Sequence, residues 1–212
     1  MKNCDEIIAS IILNDKNRTN LALYGFRSWM LQDINYPYEV ILNLFNNKEK
    51  IYKNMSVGAN IYCNSIIKEY KPPKIFNISA ANNLGIYFAK GKYVIFANSD
   101  VIFPSDYLGR VIAELSLRNI CYAISSRVNL NKMQTEKLLP PDKYTRDNNF
   151  NFLKGFENIL GRTIDYLGSW ISLREITFAI GGMDPNILCH EDSEYNDRIM
   201  HYLRKNKKQD CL

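Results

Sequence analysis

Asn98-Ser99-Asp100 stands where a short apolar run, Tyr93 to Ala97, gives out. Such a run reads as a buried strand, and an α/β sheet binds its ligands at the C-terminal ends of its strands. A hard divalent cation takes oxygen ligands and commonly bridges a carboxylate to phosphate oxygens. Asp100 can supply that carboxylate for Mn2+ or Mg2+, which would then neutralise charge growing on a departing diphosphate. Asn98, with Ser99 beside it, offers a neutral amide suited to a ribose hydroxyl. An Asp ahead of Pro104-Ser105 is equally suited to capping the next turn.

A second acidic cluster, Glu191-Asp192, opens a predicted helix that runs from Ser193 to Arg204. The helix dipole keeps first-turn carboxylates ionised. An ionised carboxylate beside a sugar hydroxyl can act as a general base. Displacement at an anomeric carbon needs one such base on the face opposite the leaving group, as inverting glycosidases also do. Plain N-capping is the competing role for Asp192 and Glu194. His190 could complete a metal site with Asp100, although an adjacent Cys189-His190 pair is a weak ligand signal. Trp170, after Gly168-Ser169, could stack on a sugar or a base, or fill the core. No phosphate-cradling loop, dinucleotide fingerprint or nucleophile elbow is present. The two acidic clusters together suggest an enzyme that transfers a group from a nucleotide diphosphate.

The elements that must carry these residues alternate in type. Ile7 to Leu13 is a continuous apolar run and predicts a buried strand. Thr19 or Asn20 caps a helix through Leu31, and Tyr38 to Leu44 is a second strand. Ile61 to Tyr70 reads as a helix stopped by Pro72-Pro73, and Lys74 to Ile78 as a short third strand. Ala80 to Lys90 is a helix with Leu84, Phe88 and Tyr87 inward; Gly91 ends it and Tyr93 to Ala97 is the fourth strand. A helix from Pro104-Ser105 to Leu115 and a strand from Cys121 to Val128 follow. Residues 129–165 are polar and without period, as long lids or binding loops are. Leu173 to Ile180 is a short helix or strand, and Gly181-Gly182 a turn. Strand and helix in alternation predict a mostly parallel sheet with crossover helices.

At 212 residues the chain is long enough for one large domain or two merged halves. Hydrophobic residues make up 46% and charged residues 23%, ordinary for a water-soluble domain. No apolar run approaches the roughly 20 residues that span a bilayer, and the N-terminus lacks a signal-peptide layout. Cys4, Cys63, Cys121, Cys189 and Cys211 are scattered without zinc spacing, which predicts reduced thiols in a cytoplasmic compartment. The net charge of +5 includes Arg204, Lys205, Lys207 and Lys208 near the end. Such a tail reads as a solvated helix end or as a peripheral contact with anionic lipid; nucleic acid is not expected as a partner. The chain stops soon after it, as the N-terminal domain of a longer protein would.

Four anchors in order resemble the inverting family 2 glycosyltransferases of GT-A fold. Ser10 to Leu13 through Asn17-Arg18 is similar to the opening strand and its Asn-Arg turn. Ser79-Ala80-Ala81 to Asn83-Leu84-Gly85, then Ala89 to Tyr93, is similar to the helix and strand that lead to the metal motif. Asn98-Ser99-Asp100 stands at the Asp-x-Asp position. Gly181-Gly182-Met183-Asp184, with Glu191-Asp192 and Arg198, is similar to the acceptor-side block. The resemblance implies an α/β fold, GT-A-type and Rossmann-like, with a mostly parallel central sheet flanked by helices in a single domain. It implies a donor half over about 1–100 and an acceptor half over about 101–212. Asp100 would hold Mn2+ or Mg2+ and the donor diphosphate, and Asp192 would be the catalytic base with Glu191 beside it. Asn17, Arg18, Asn83, Asn98 and Ser99 would bind the donor. Trp170, Gly182 and Met183, with residues 129–165, would shape the sugar and acceptor site. The implied donor is a UDP-sugar, and the acceptor a glycan, a lipid-linked sugar or a protein.

The chain also departs from the family pattern. Asn14 replaces a usual Pro, Lys16 an aromatic, Asn82 an Arg, and Asn98 the first Asp of the metal motif. Leu44-Phe45-Asn46-Asn47 stands where an Asp-Asp-Gly-Ser block usually holds the nucleoside, with Asn43 or Asn46 available for ribose or base contacts. Two other functions are alternatives: a non-catalytic sugar- or partner-binding module on the same fold, which these replacements favour, and a nucleotidyltransferase on a similar α/β sheet. The second lacks the expected glycines between Asn14 and Arg18.

Overall fold

The computed structural model describes residues 6–16, 19–45, 52–53, 59–71, 75–127 and 166–206. Six strands form one sheet: β1 (Ala9–Asp15), β2 (Tyr38–Leu44), β3 (Cys63–Glu69), β4 (Tyr93–Ala97), β5 (Tyr122–Arg127) and β6 (Tyr166–Leu173). Their spatial order is β3-β2-β1-β4-β6-β5. β3, β2, β1 and β4 are mutually parallel, and β6 runs antiparallel to both β4 and β5. Five helices accompany them among the described residues: α1 (Thr19–Met30), α2 (Ile78–Phe88), α3 (Tyr107–Leu117), α4 (Arg174–Ala179) and α5 (Glu191–Lys205).

β1, β2 and β4 are apolar almost throughout because both faces of the sheet are covered. Side chains alternate between the faces with period two. Ile11, Leu13, Val40, Leu42 and Ile95 pack with Phe26 and Trp29 of α1 and with Leu108, Ile112 and Leu115 of α3. Ile12, Ile41, Val94 and Phe96 pack with Ile86 of α2 and with Tyr195, Ile199 and Leu203 of α5. Trp29 anchors the first layer, fully buried against Phe103 with ring centroids 4.3 Å apart.

Four expectations are corrected. Residues 63–69 are a strand, not part of a helix. Ile66 and Ile67 point to opposite faces and join opposite core layers, and the half-exposed edge position of β3 dilutes its apolar pattern. Ile75 to Ile78 is not a strand: Ile75 is exposed, and Asn77 caps α2 by accepting from the Ala80 N–H at 2.9 Å. The inward face of α2 is Ser79, Ala81, Asn82, Gly85 and Ile86, while Tyr87 is 80% exposed. That small-residue face lets α2 lie close over Ile12 of β1. β6 was not expected at all, and its central position separates β5 from β4.

Cys63, Cys121 and Cys189 take part in no disulfide among the described residues, and burial pushes the Cys63 thiol up to about 12. Cys4 and Cys211, the 129–165 stretch, Lys207 and Lys208 lie outside the described residues. No described helix is long and apolar enough to cross a membrane.

Candidate functional site

β1 sends its chain to β2 on one side, and β4 sends its chain toward β5 on the other. Crossovers that diverge in this way open a crevice above the C-terminal ends of the two neighbouring strands. Asp15 ends β1, and Asn98-Ser99-Asp100 follows β4. A pocket of about 370 Å3 lies there. Its walls include Asp15, Lys16, Asn98, Ser99 and Asp100 from the strand ends, Phe76 and Asn82 from α2 and its approach, Trp170 of β6, Met183, and Glu191 with Asp192 of α5.

The Asp100 turn is braced from α1. Ser28 Oγ donates to the Gly25 carbonyl at 2.7 Å and accepts from the Phe103 N–H at 3.2 Å. Gln32 just past the helix donates to the Pro104 carbonyl at 2.9 Å and accepts from the Leu108 N–H at 2.8 Å. Gly25 itself faces the Ser99 carbonyl, and a Cβ there would also lie 2.9 Å from the Val101 oxygen. Backbone atoms cannot swing aside as a side chain can, so the turn must move. Gly25→Ala is expected to destabilise the fold by about 1–3 kcal/mol and to weaken whatever ligand binds beside Asp100. Thermal denaturation and ligand titration of the variant check this, and wild-type values in both would show that the turn yields freely.

α3 begins at Tyr107 with Asp106 at its N-cap, so Asp100 is not the cap of that helix. Asp192 and Glu191 reach the pocket because α5 is held against β4 and β6. Tyr195, one turn further on, is fully buried. Its hydroxyl lies 3.0 Å from Thr177 Oγ1 and 3.2 Å from Ser172 Oγ, and these two are 2.6 Å apart. Residues three and four apart share a helix face, so the face that buries Tyr195 also carries Glu191 and Asp192 over the sheet edge. Arg198 bonds the Ile180 carbonyl at 2.7 Å and pairs with Glu194, tying α5 to the preceding turn. Asp192 Oδ1 accepts from the Ser193 N–H at 2.7 Å.

Gly181 and Gly182 form that turn with φ of +78° and +72°, in the left-handed region that glycine tolerates. A Cβ on Gly182 would lie 2.6 Å from Asn83 Oδ1. That oxygen accepts from the Met183 N–H at 2.9 Å, and Asn83 Nδ2 donates to the Met183 carbonyl at 2.7 Å. Asn83 therefore holds the Met183 backbone and is absent from the pocket lining. Asn43 is fully buried beneath the floor and bonds Asn14 and the Ala81 carbonyl. Asn17 and Arg18 lie outside the described residues. His190 adopts a left-handed conformation, φ 59° and ψ 26°. It lines a separate groove of about 840 Å3 with Cys189, Ser193 and His201. The structure thus puts His190 and Asp100 on different cavities. The smaller pocket is the candidate site because carboxylates from three elements line it, whereas the described acids of the groove, Glu194 and Asp197, both belong to α5.

Asp15 is the site residue the sequence reading passed over. It is an acid at the end of a buried strand, the same signal that singled out Asp100. Its carboxylate accepts from the Tyr52 hydroxyl at 2.7 Å. Burial, then the hydrogen bond to Asp15, raises the Tyr52 phenol far above its ordinary value, so Tyr52 stays protonated as the donor. Asp15, Asp100, Glu191 and Asp192 face a single described cation, Lys16, across the pocket. Carboxylates with the Asn98 and Ser99 side chains are the donor set of a hard divalent cation. Among the described residues no three His, Cys, Asp or Glu side chains cluster to hold an ion by themselves. The residues therefore fit an ion that takes its remaining ligands from a bound diphosphate.

The family model "Glycosyl transferase family 2" matches residues 62–176, more than half of the 212-residue chain. The match takes in Asp100 and Trp170 and ends before α5. Among solved structures, S. aureus TarS aligns with a TM-score of 0.63 and 12% identity, covering 91% of this chain and 33% of that one. TarS 1-349 in complex with UDP gives 0.62 and 14%, covering 89% and 54%. The mannosyltransferase PcManGT from Pyrobaculum calidifontis, in complex with GDP-Man and Mn2+, gives 0.61 and 16%, covering 92% and 52%. At these identities the likeness is one of fold, and the chain spans between about a third and about half of the lengths it matches. No curated protein sequence matches the chain.

Proposed function

The chain belongs to glycosyl transferase family 2, and from that premise we propose that it is a metal-dependent, inverting glycosyltransferase that moves a sugar from a nucleotide-diphosphate donor to an acceptor hydroxyl. One observation carries the reading. Asp100, after β4, and Glu191 with Asp192, in the first turn of α5, line one pocket although they lie far apart in the chain.

In this reading Asn98, Ser99 and Asp100 orient the diphosphate end of the donor. Bound beside Asp100, Mn2+ or Mg2+ would stabilise the charge that develops on the leaving diphosphate. Asp192 takes the proton from the acceptor hydroxyl as that oxygen attacks the anomeric carbon from the face opposite the diphosphate. The bond to the diphosphate oxygen breaks as the new carbon–oxygen bond forms, and the configuration inverts. Glu191, Trp170 and Met183 border the acceptor side, and Gly182 lies in the turn that carries Met183 without lining the pocket. A UDP-sugar is the favoured donor and a glycan, lipid-linked sugar or protein the acceptor. UDP in one structural neighbour, and GDP-Man with Mn2+ in another, support a nucleotide sugar.

The reading makes a strong prediction. Asp100 and a bound diphosphate are both anionic, and a divalent ion between them would offset their repulsion. Calorimetric titration with UDP, GDP, CDP and dTDP, each with and without Mn2+, tests this. Binding of one nucleotide that weakens at least about tenfold (about 1.4 kcal/mol) when EDTA removes the metal is the expected result. A folded sample that binds none of the four would sink the transferase reading and favour a non-catalytic module.

A further inference from the structure

Three amides are joined end to end at the pocket floor, Asn14 and Asn82 bordering it and Asn43 buried behind them. Asn43 Nδ2 donates to Asn14 Oδ1 at 3.0 Å. Asn14 Nδ2 donates to Asn82 Oδ1 at 2.6 Å. Asn82 Nδ2 donates to Met183 Sδ at 3.1 Å. The run crosses from β2 to β1 to α2 to the turn before α5, and every link donates in the same direction. Asn43 is fully buried and Asn82 6% exposed, while Asn14, Asn82 and Met183 border the pocket.

The last link matters most for position. A Met side chain has three rotatable bonds; Met183 is buried in the core layer that holds Ile86, Phe96 and Trp170, and a donor to its sulfur selects among the rotamers this packing allows. Asn83 fixes only the Met183 backbone. Asn82 is the donor that reaches the sulfur, and Asn14 in turn fixes the Asn82 amide.

We propose that Asn82 is a positioning residue: it ties the Met183 side chain to the ends of β1 and β2, so that the wall beside Glu191 and Asp192 keeps register with the donor-side floor. This role rests on the reading of the pocket as the transfer site. Asn14 acts through Asn82, and the two replacements of family-typical residues at 14 and 82 form one unit.

Methyl NMR on protein labelled at its six methionines tests the proposal, with the Met183 signal identified by its loss in Met183→Leu. Asn82→Ala is expected to shift the Met183 methyl and leave Met30, which lies against Cys63, in place. Asn14→Ala should shift Met183 as well, yet add nothing in an Asn82→Ala background. Release of UDP from UDP-GlcNAc, or of GDP from GDP-mannose, should fall about 10- to 100-fold in Asn82→Ala. Calorimetric affinity for UDP or GDP with Mg2+ should stay within about threefold (under about 0.7 kcal/mol). Asn14 is half-buried, so its variant decides the matter if Asn82→Ala does not fold. A Met183 methyl that ignores Asn14→Ala, or an affinity that falls as far as turnover, in a protein that binds nucleotide, overturns this role alone. A wild-type protein that binds neither UDP nor GDP overturns the transferase reading, and this role with it.

Discussion

Asp192→Asn is expected to lower turnover about 10²- to 10⁴-fold, the usual contribution of a general base, with nucleotide affinity nearly unchanged. The substitution is nearly isosteric and removes only the capacity to accept a proton. The Asn oxygen can still accept the Ser193 N–H that Asp192 now accepts. The loss of charge in the first turn of α5 costs about 0.3–1 kcal/mol through the helix dipole, too little to unfold a helix anchored by Tyr195, Ile199 and Leu203. A structural cap and a catalytic base therefore separate cleanly. Single-turnover release of nucleoside diphosphate from the preferred nucleotide sugar is the measurement. Near-wild-type release would remove Asp192 from the chemistry and leave Glu191 as the acid to test.

Asp100→Ala is expected to act on the other half of the pocket, abolishing the gain in nucleotide affinity that Mn2+ brings. Stabilisation of a leaving diphosphate by a metal is worth several kcal/mol, and each 1.36 kcal/mol is tenfold in rate. Turnover should therefore fall about a thousandfold. Unlike Asp192→Asn, this variant should lose binding and chemistry together. Its fold should survive, because Ser28 and Gln32 also hold the segment that follows it, at Phe103, Pro104 and Leu108. Calorimetry of the variant with nucleotide, with and without Mn2+, checks it. A metal-dependent affinity equal to the wild type's would mean that other oxygens hold the ion.

The parts of the fold that were legible in the sequence are those buried on both sides. Tyr38–Leu44 and Tyr93–Ala97 are strands with the expected ends, because a continuous apolar run between two covered faces has few other places to go. β3 was misread because it is an edge strand, and its half-exposed positions break the apolar pattern of a buried strand. β6 escaped because Ser169 and Ser172 interrupt its apolar pattern. Both serines are buried, spending their hydroxyls on Tyr107, Ser125, Thr177 and Tyr195, and sequence alone does not show where a hydroxyl finds a partner. Both acidic clusters were legible from the site, since each sits at an element end. Asn14 and Asn82 read as two separate departures from a family pattern; only three-dimensional contact shows that they bond each other.

The place of β6 has a consequence for how the chain is made. It lies between β4 and β5 although it follows β5 in sequence, and β5 has no other neighbour among the described strands. As the polypeptide leaves the ribosome, β1 to β4 can meet their partners among themselves. Among the described strands, β5 finds its partner only once Tyr166–Leu173 has emerged and entered between it and β4. A nascent chain halted before that point carries raw strand edges on both β4 and β5, the kind of surface that recruits other chains. The late strand works as a keystone, and the helix bearing Asp192 is synthesised only after it.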